Sequence, residues 1–322
     1  MIYTDSSLYG LQSKAQLKRL LKIPSKEFFK QSFICSKIHP YIDTSQPEKK
    51  RLIESPEEDL KLIQKRIQKY LGQMNHPDYL LSGVKGKSYV DNAKIHRGNK
   101  HFFKTDFSAF FPNTSREKVY SFFRNELIMA PDIAEIMTNL TTINLDLTDS
   151  KDSKAINDFL LSKKIKLRQH LLSGAPTSQL LSFYCNRKMF WEMYMLAQCN
   201  NIEMSIYVDD IIFSSSKPFP KDFRYNIKRI TKHYFLKLSS SKVKAYNKDY
   251  PKRVTGVIIN KKGLLKIPNS LRQKIIEEFN NLQKNPESNE SKQRLHGLVA
   301  SARQIESNAY SSILEFVRSK SK

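Results

Sequence analysis

Three carboxylates stand where a chain could do phosphoryl chemistry. Asp106 closes an aromatic-rich strand pattern, and Asp209-Asp210 sits at the tip of an apolar hairpin pattern a hundred residues later. A sheet can bring carboxylates on neighbouring strands within a few ångströms of one another, and three together repel unless divalent cations lie between them. Magnesium favours such all-oxygen sites, and two ions about 3.5–4 Å apart stabilise both the attacking and the leaving oxygen of a phosphoryl transfer. Asp-Asp at a turn is also ordinary turn chemistry, since aspartate hydrogen-bonds the local backbone. The residues around the acids separate the two readings.

The elements that must position these acids show in the periodicity. Ile202, Met204, Ile206 and Val208 alternate with Glu203, Ser205 and Tyr207, and Ile211-Ile212-Phe213 follows the acids, so the spacing predicts a hairpin whose turn holds Asp209-Asp210. The run from His101 to Phe107 predicts a strand, and Ser115 to Leu127 a capped helix. Tyr41-Ile42-Asp43 and Arg51-Leu52-Ile53 predict another hairpin, and Leu60, Ile63, Ile67, Tyr70 and Leu71 a helix behind Pro56. Two short helices between Lys14 and Lys37 precede them, broken at Pro24-Ser25. Ser173 to Ser178 predicts a turn followed by one long helix to about Gln198. The polar residues from 143 to 166 read as a surface insertion with a short helix around Ile156 to Leu161. A helix from Phe219 to Phe235, a hairpin from Arg253 to Ile267 and two basic helices, about Ser270 to Lys284 and Lys292 to Val317, complete the chain.

Composition narrows the partner. The 322 residues carry 55 Lys+Arg against 31 Asp+Glu, a formal charge of +24 that points to a polyanion. Basic residues persist through the C-terminal helices, and Tyr246, Tyr250 and Tyr310 add rings able to stack on bases. Cys35, Cys185 and Cys199 form no CxxC pair, which argues against a zinc site and for a reducing compartment. The N-terminus lacks a basic start followed by an apolar stretch, and the most apolar region, Leu180 to Cys199, is interrupted by Arg187, Lys188 and Glu192. A cytoplasmic protein with no membrane partner is the expectation. Gly83 to Ser88 lacks the first glycine of a phosphate-binding loop, because Leu81 stands there, so an ATPase is excluded.

Taken together, the motifs resemble a family. Tyr207-Val208-Asp209-Asp210 is similar to the YxDD box of reverse transcriptases, Asp106 to Phe111 to their first carboxylate motif, and Gly174 to Ser178 to the turn and helix between them. Asn92-Ala93-Lys94-Ile95-His96 resembles the NAxxH motif of retron reverse transcriptases, and Val254-Thr255-Gly256 their VTG motif. The similarity covers roughly Tyr41 to Asn260.

This resemblance implies an α+β right-hand polymerase with fingers, an antiparallel-sheet palm and a helical thumb. Its divisions would be a helical N-terminal extension (1–40), fingers and palm (41–260) and an RNA-binding thumb (261–322). It implies two Mg2+ ions held by Asp106, Asp209, Asp210 and the main-chain oxygen of Phe107. Phe111 matches the aromatic gate against a ribose 2′-OH, a role compatible with that of an aromatic packed in the palm. Arg51 matches a triphosphate contact, or belongs to a solvated basic turn. Lys242 is the candidate acid for pyrophosphate departure, with Lys244 nearly as well placed and a plain surface lysine the alternative. Ser173 replaces the glutamine usual before Gly174, both beside the nucleotide, and its shorter side chain leaves the usual ribose contact to Gln179 or water. Asn92, His96, Val254, Thr255 and Gly256 fall to template RNA, His96 in a structural role close to it or else as a core or helix-end histidine, and Arg294, Arg303 and Arg318 fall to RNA in the thumb, unless those arginines pair with Glu277, Glu278, Glu306 or Glu315. The expected reaction is copying part of a cognate noncoding RNA into branched, RNA-linked single-stranded DNA from dNTPs, in a bacterial cytoplasm, with an effector protein and a role against phage. The alternatives are a group II intron-like or other bacterial reverse transcriptase, or an inactive protein that binds structured RNA.

Overall fold

A computed structural model describes residues 3–46, 50–239, 244–246 and 250–319, and shows a mixed α+β chain in two compact units. Among the described residues no helix is long and apolar enough to cross a membrane.

The first unit comprises Met1–Lys85, Asp106–Leu196 and Lys221–Ser241. Its hairpin pairs Ile38–Asp43 with Arg51–Pro56, placing Tyr41 across from Ile53 and Asp43 across from Arg51. Helix Glu58–Leu71 opens on Glu58 and Asp59, whose charges suit the positive end of the helix, and buries Leu60, Ile63, Ile67 and Leu71. The core is aromatic: Phe107 stacks on Phe110 at 4.6 Å, Phe183 on Phe190 at 5.3 Å, and Phe122 on Tyr184 at 5.4 Å between ring centroids.

Three elements here differ from the periodicity. The long helix expected after Ser178 is two, Ser178–Cys185 and Arg187–Gln198. Between them the Asn186 amide donates to the Ser182 carbonyl at 2.9 Å while its oxygen accepts from Lys118 Nζ at 2.9 Å, a local bonding pattern that competes with helix continuation. The helix from Arg116 ends at Ser121 and widens into a π-helical turn, Phe122–Glu126. The insertion does carry its short helix, Ser153–Ser162, but its base is closed by two three-residue strands, Thr142–Asn144 and Gln169–Leu171, too short to leave a period.

The second unit comprises Gly86–Thr105, Ala197–Pro220 and Lys242–Lys322. Its four-stranded sheet runs in the order Glu203–Tyr207, Asp210–Ser215, His101–Asp106, Lys244–Tyr246, with the first two and the last two antiparallel. Helix Tyr89–Ile95, opened by a reciprocal Ser88–Asp91 capping box, packs Val90 and Ala93 against Phe102, Ile212, Val254, Val257 and Ile259. The C-terminal residues form three helices rather than two: Asn269–Lys284, Asn289–Ile305 and Ser311–Ser319. The extra break falls at Glu306, whose carboxylate accepts the Ile267 N–H at 2.9 Å and the Lys266 ammonium at 3.0 Å, pinning the chain there. Ile275, Leu282, Leu295, Val299 and Ala302 form this bundle's core.

Candidate active site

The acidic hairpin belongs to the second unit. Its register pairs Tyr207 with Asp210, so the two-residue turn is Val208-Asp209, and Asp210 is the first paired residue of the outgoing strand rather than a turn residue. Val208 has φ 60°, at a position where two-residue hairpin turns usually place glycine. A β-branched residue held there costs about 1–3 kcal/mol, and such strain persists only where the surroundings enforce it. Both aspartates are half-buried.

His96 braces the hairpin from behind. Its Nδ1 lies 2.7 Å from Ser214 Oγ and its Nε2 2.7 Å from Ser205 Oγ, one hydroxyl on each strand, and Asn99 Nδ2 donates to Ser214 Oγ at 2.8 Å. Burial, with the Lys104 charge as a lesser cause, pushes its pKa down to about 3, so the ring is neutral and one nitrogen donates while the other accepts. Asn92 Nδ2 donates to Thr255 Oγ1 at 3.3 Å, and that hydroxyl donates to the Tyr89 carbonyl at 2.9 Å. Thr255 (φ 44°) and Gly256 (φ 89°) form the left-handed two-residue turn between Lys252–Val254 and Val257–Ile259. The two motifs therefore meet each other. Asn92, His96 and Val254 are fully buried, His96 gives both ring nitrogens to the hairpin and Asn92 donates its amide to Thr255, which favours a structural role close to the template over direct contact with it.

A measurable consequence follows for His96→Ala. It strands two buried hydroxyls and opens a cavity, and should lower unfolding free energy by about 2–4 kcal/mol in urea denaturation. A variant of wild-type stability with weakened RNA affinity would return His96 to the template.

In the first unit the main chain around Asp106 is fixed by the segment after helix Phe223–His233. Ser239 N–H donates to the Asp106 carbonyl at 2.7 Å, Ser108 N–H to the Lys237 carbonyl at 2.8 Å, and Phe107 bridges Leu238. The Asp106 residue is 3% exposed. Phe107 is buried and stacked, whereas Phe111 is half-buried with its ring 6.0 Å from that of Phe110.

Ser173 and Gly174 lie against strand Arg51–Pro56. The Glu54 N–H donates to the Ser173 carbonyl, and the Ser173 N–H to Glu54 Oε2, both at 2.7 Å. Gly174 has φ 126°, and a Cβ there would stand 3.2 Å from the Glu54 carbonyl oxygen, so the turn needs glycine on both counts. Behind it, Glu54 Oε1 faces His170 Nε2 at 3.4 Å, with both side chains completely buried. Burial raises Glu54 to about 8, against the Ser173 N–H, and lowers His170 to about 4. The contact is therefore a neutral carboxylic acid facing a neutral imidazole near pH 7, not an ion pair. Motif reading missed this pair, although Glu54 shares its inward parity with Leu52 and Pro56, and an acid in that register was the available signal.

The remaining expectations divide. Arg51 is exposed beside Asp43. Lys242 lies outside the described residues, as does the side chain of Arg318. Arg294 is held by Glu278 at 3.4 Å and Glu290 at 2.6 Å, so the pairing alternative holds for it and a phosphate would have to displace two carboxylates. Arg303 is half-buried. Among the described residues no three His, Cys, Asp or Glu side chains are gathered closely enough to hold a metal ion. Asp106, Asp209 and Asp210 nonetheless offer oxygen donors alone, the set that suits Mg2+ rather than a thiophilic metal.

No protein-family model matches the chain. It is 33% identical over 104 residues to the retron Se72 reverse transcriptase of Salmonella heidelberg (strain 579083-10), covering 32% of this chain and 27% of that one. It is 24% identical over 264 residues to the retron Ec83 reverse transcriptase of Escherichia coli, 80% of this chain and 79% of that one. Against the retron Ec48 reverse transcriptase of Escherichia coli it is 27% identical over 250 residues, 73% of this chain and 53% of that one. The chain thus matches most of the second relative, about half of the third and about a quarter of the first.

Proposed function

From its relation to the retron reverse transcriptases, we propose that this chain is an RNA-directed DNA polymerase that copies part of a cognate noncoding RNA. The observation that carries the reading is the sheet order: the strand ending in Asp106 neighbours the strand beginning at Asp210, with Asp209 in the turn before it. Adjacent strands carry Asp106 and Asp210, and the turn carries Asp209, although Asp106 lies a hundred residues earlier in sequence; carboxylates alone are the donors that metal-assisted phosphoryl transfer uses.

Fingers and palm take residues 41–260, a helical thumb takes 261–322, and 1–40 form an extension, in a right-hand polymerase. Asp106, Asp209, Asp210 and the Phe107 carbonyl hold two Mg2+ ions, which when bound lower the cost of charge on the attacking and leaving oxygens. Arg51 neutralises the triphosphate, the Ser173–Gly174 turn lies beside the nucleotide with the ribose contact left to Gln179 or water, and Lys242 returns a proton to the departing pyrophosphate. A primer hydroxyl attacks the α-phosphorus of a dNTP, the bond to pyrophosphate breaks, and the chain grows by one nucleotide. The first hydroxyl is the 2′-OH of a guanosine in the RNA itself, which yields branched RNA-linked DNA. An effector encoded nearby, acting in defence against phage in a bacterial cytoplasm, completes the proposed setting.

Phe111 supplies a test of the nucleotide site. Phe111→Ala should raise the ribonucleotide to deoxyribonucleotide incorporation ratio by about tenfold or more, since loss of the ring admits a 2′-OH, in single-nucleotide extension on an RNA template. Unchanged discrimination would make Phe111 a packing residue. A wild-type chain that binds RNA but extends no primer with Mg2+ and dNTPs would favour the inactive RNA-binding alternative.

A further inference from the structure

Helix Phe223–His233 and Phe235, two residues beyond it, carry two features that the polymerase reading does not use. The first is charge. Between Lys221 and Lys237 the chain has six Lys or Arg residues and one acid, Asp222. Phe223, Ile227 and Thr231 face the core, while Lys221, Arg224, Lys228 and Lys232 recur at three- and four-residue spacing on the exposed side, with Arg229 beside them. Lys228, Arg229 and Lys232 take part in no ion pair among the described residues.

The second feature is Phe235. The helix closes with the Leu236 N–H bonded to the Thr231 carbonyl at 3.1 Å and the Phe235 N–H to the Lys232 carbonyl at 3.0 Å, which puts Phe235 at the left-handed position of a Schellman closure, φ 59°. Glycine is the usual occupant. Here a phenylalanine accepts the strained backbone and leaves its ring 91% exposed, with Tyr225 67% exposed on the same helix. Both costs bring a return once something flat covers the ring.

We propose that this cationic face and the Phe235 ring form a docking surface for unpaired RNA, with phosphates along the lysines and arginines and a base stacked on Phe235. The inference deepens the polymerase reading and rests on it in choosing RNA over DNA. Charge complementarity carries the choice of a polyanion, and the exposed ring favours an unpaired strand over a duplex, whose bases are already stacked. An anionic membrane fits less well, because the apolar face such a helix would insert is already buried in the unit's core. The surface is also wired toward the reaction, since the residues just after Phe235 are those whose main chain holds Asp106, Phe107 and Ser108.

The test is fluorescence anisotropy with a labelled oligouridylate over a series of KCl concentrations, without dNTPs or divalent metal, so that failure here is separable from failure of polymerisation. Lys228→Glu/Arg229→Glu/Lys232→Glu should weaken binding at least about tenfold and flatten the log–log salt slope by about two units, near 0.7 for each single-strand phosphate contact. Phe235→Gly should weaken binding about tenfold with little change in slope, while raising the melting temperature, because it removes a stacking ring and relaxes the backbone at once. Lys151→Glu/Lys154→Glu/Lys163→Glu, an equal charge change on the exposed insertion helix and its approach, should cost much less. Equal losses in that control would reduce the effect to net charge and overturn the proposal. Wild-type affinity in Phe235→Gly would overturn it too, as would equal losses on oligothymidylate. Co-flotation with phosphatidylserine–phosphatidylcholine vesicles that the triple variant abolishes while keeping RNA affinity would assign the face to a membrane instead.

Discussion

Asp209→Asn/Asp210→Asn should lower Mg2+-dependent DNA synthesis on a primed RNA template at least about a thousandfold, roughly 4 kcal/mol of lost transition-state stabilisation. Asparagine keeps the size and half-burial of each side chain, and the hairpin is held by its own ladder and by the His96 bonds to Ser205 and Ser214, so the fold should survive. RNA affinity measured without metal should stay within about twofold, since carboxylates do not grip phosphates. Primer extension and RNA binding run side by side separate the roles. Synthesis near the wild-type rate would remove the acids from catalysis, and loss of RNA binding together with folded structure would make them structural.

The next largest effect is expected at Glu54. Glu54→Ala takes away the acceptor of the Ser173 N–H and the partner of His170 inside a closed core, and should cost about 3 kcal/mol of stability and raise the dNTP KM about tenfold with a smaller change in kcat. Glu54→Gln keeps an oxygen for Ser173 and offers an amide to His170, and should restore both. The pH dependence supplies an independent readout. Glu54 rises from 4.5 unfolded to about 8 folded, so the folded state holds a proton that the unfolded chain has released, and this stabilisation is lost as pH rises through about 8. His170 falls from 6.5 to about 4, so its contribution runs the other way, increasing with pH between about 4 and 6.5. The two oppose each other below pH 6.5, and above it Glu54 acts without its partner. The melting temperature should therefore decline between pH 6.5 and 8.5 in the wild type and more shallowly in Glu54→Gln. Identical profiles would show that no proton is held there.

These two sites show what could be read in advance. The acidic hairpin and the strand ending in Asp106 were legible because alternation marks a strand and each acid lies at its end, and Leu60 to Leu71 announced a helix by spacing alone. The break at Asn186 was hidden, since only half of its bonding is local, to Ser182, and the other half comes from Lys118, far away in sequence. The Glu54–His170 pair was hidden for the same reason, being a property of two strands that meet only in the fold. Asn92, His96 and Thr255 were recognised as a set, but not that Asn92 bonds Thr255 while His96 bonds the hairpin: a motif tells which residues go together, while burial and hydrogen bonds tell whether they face a ligand or one another.

The strand His101–Asp106 has another consequence, for biosynthesis. Both of its neighbours in the sheet, Asp210–Ser215 and Lys244–Tyr246, leave the ribosome a hundred residues or more after it. At roughly 5–20 residues per second it stays unpaired for about 5–20 seconds. During that interval Phe102 and Phe103, buried in the finished sheet, are sticky surface on a nascent chain, and Lys100 and Lys104 are the charges that guard them. Chaperone capacity and translation speed, more than final stability, should set the soluble yield of this chain.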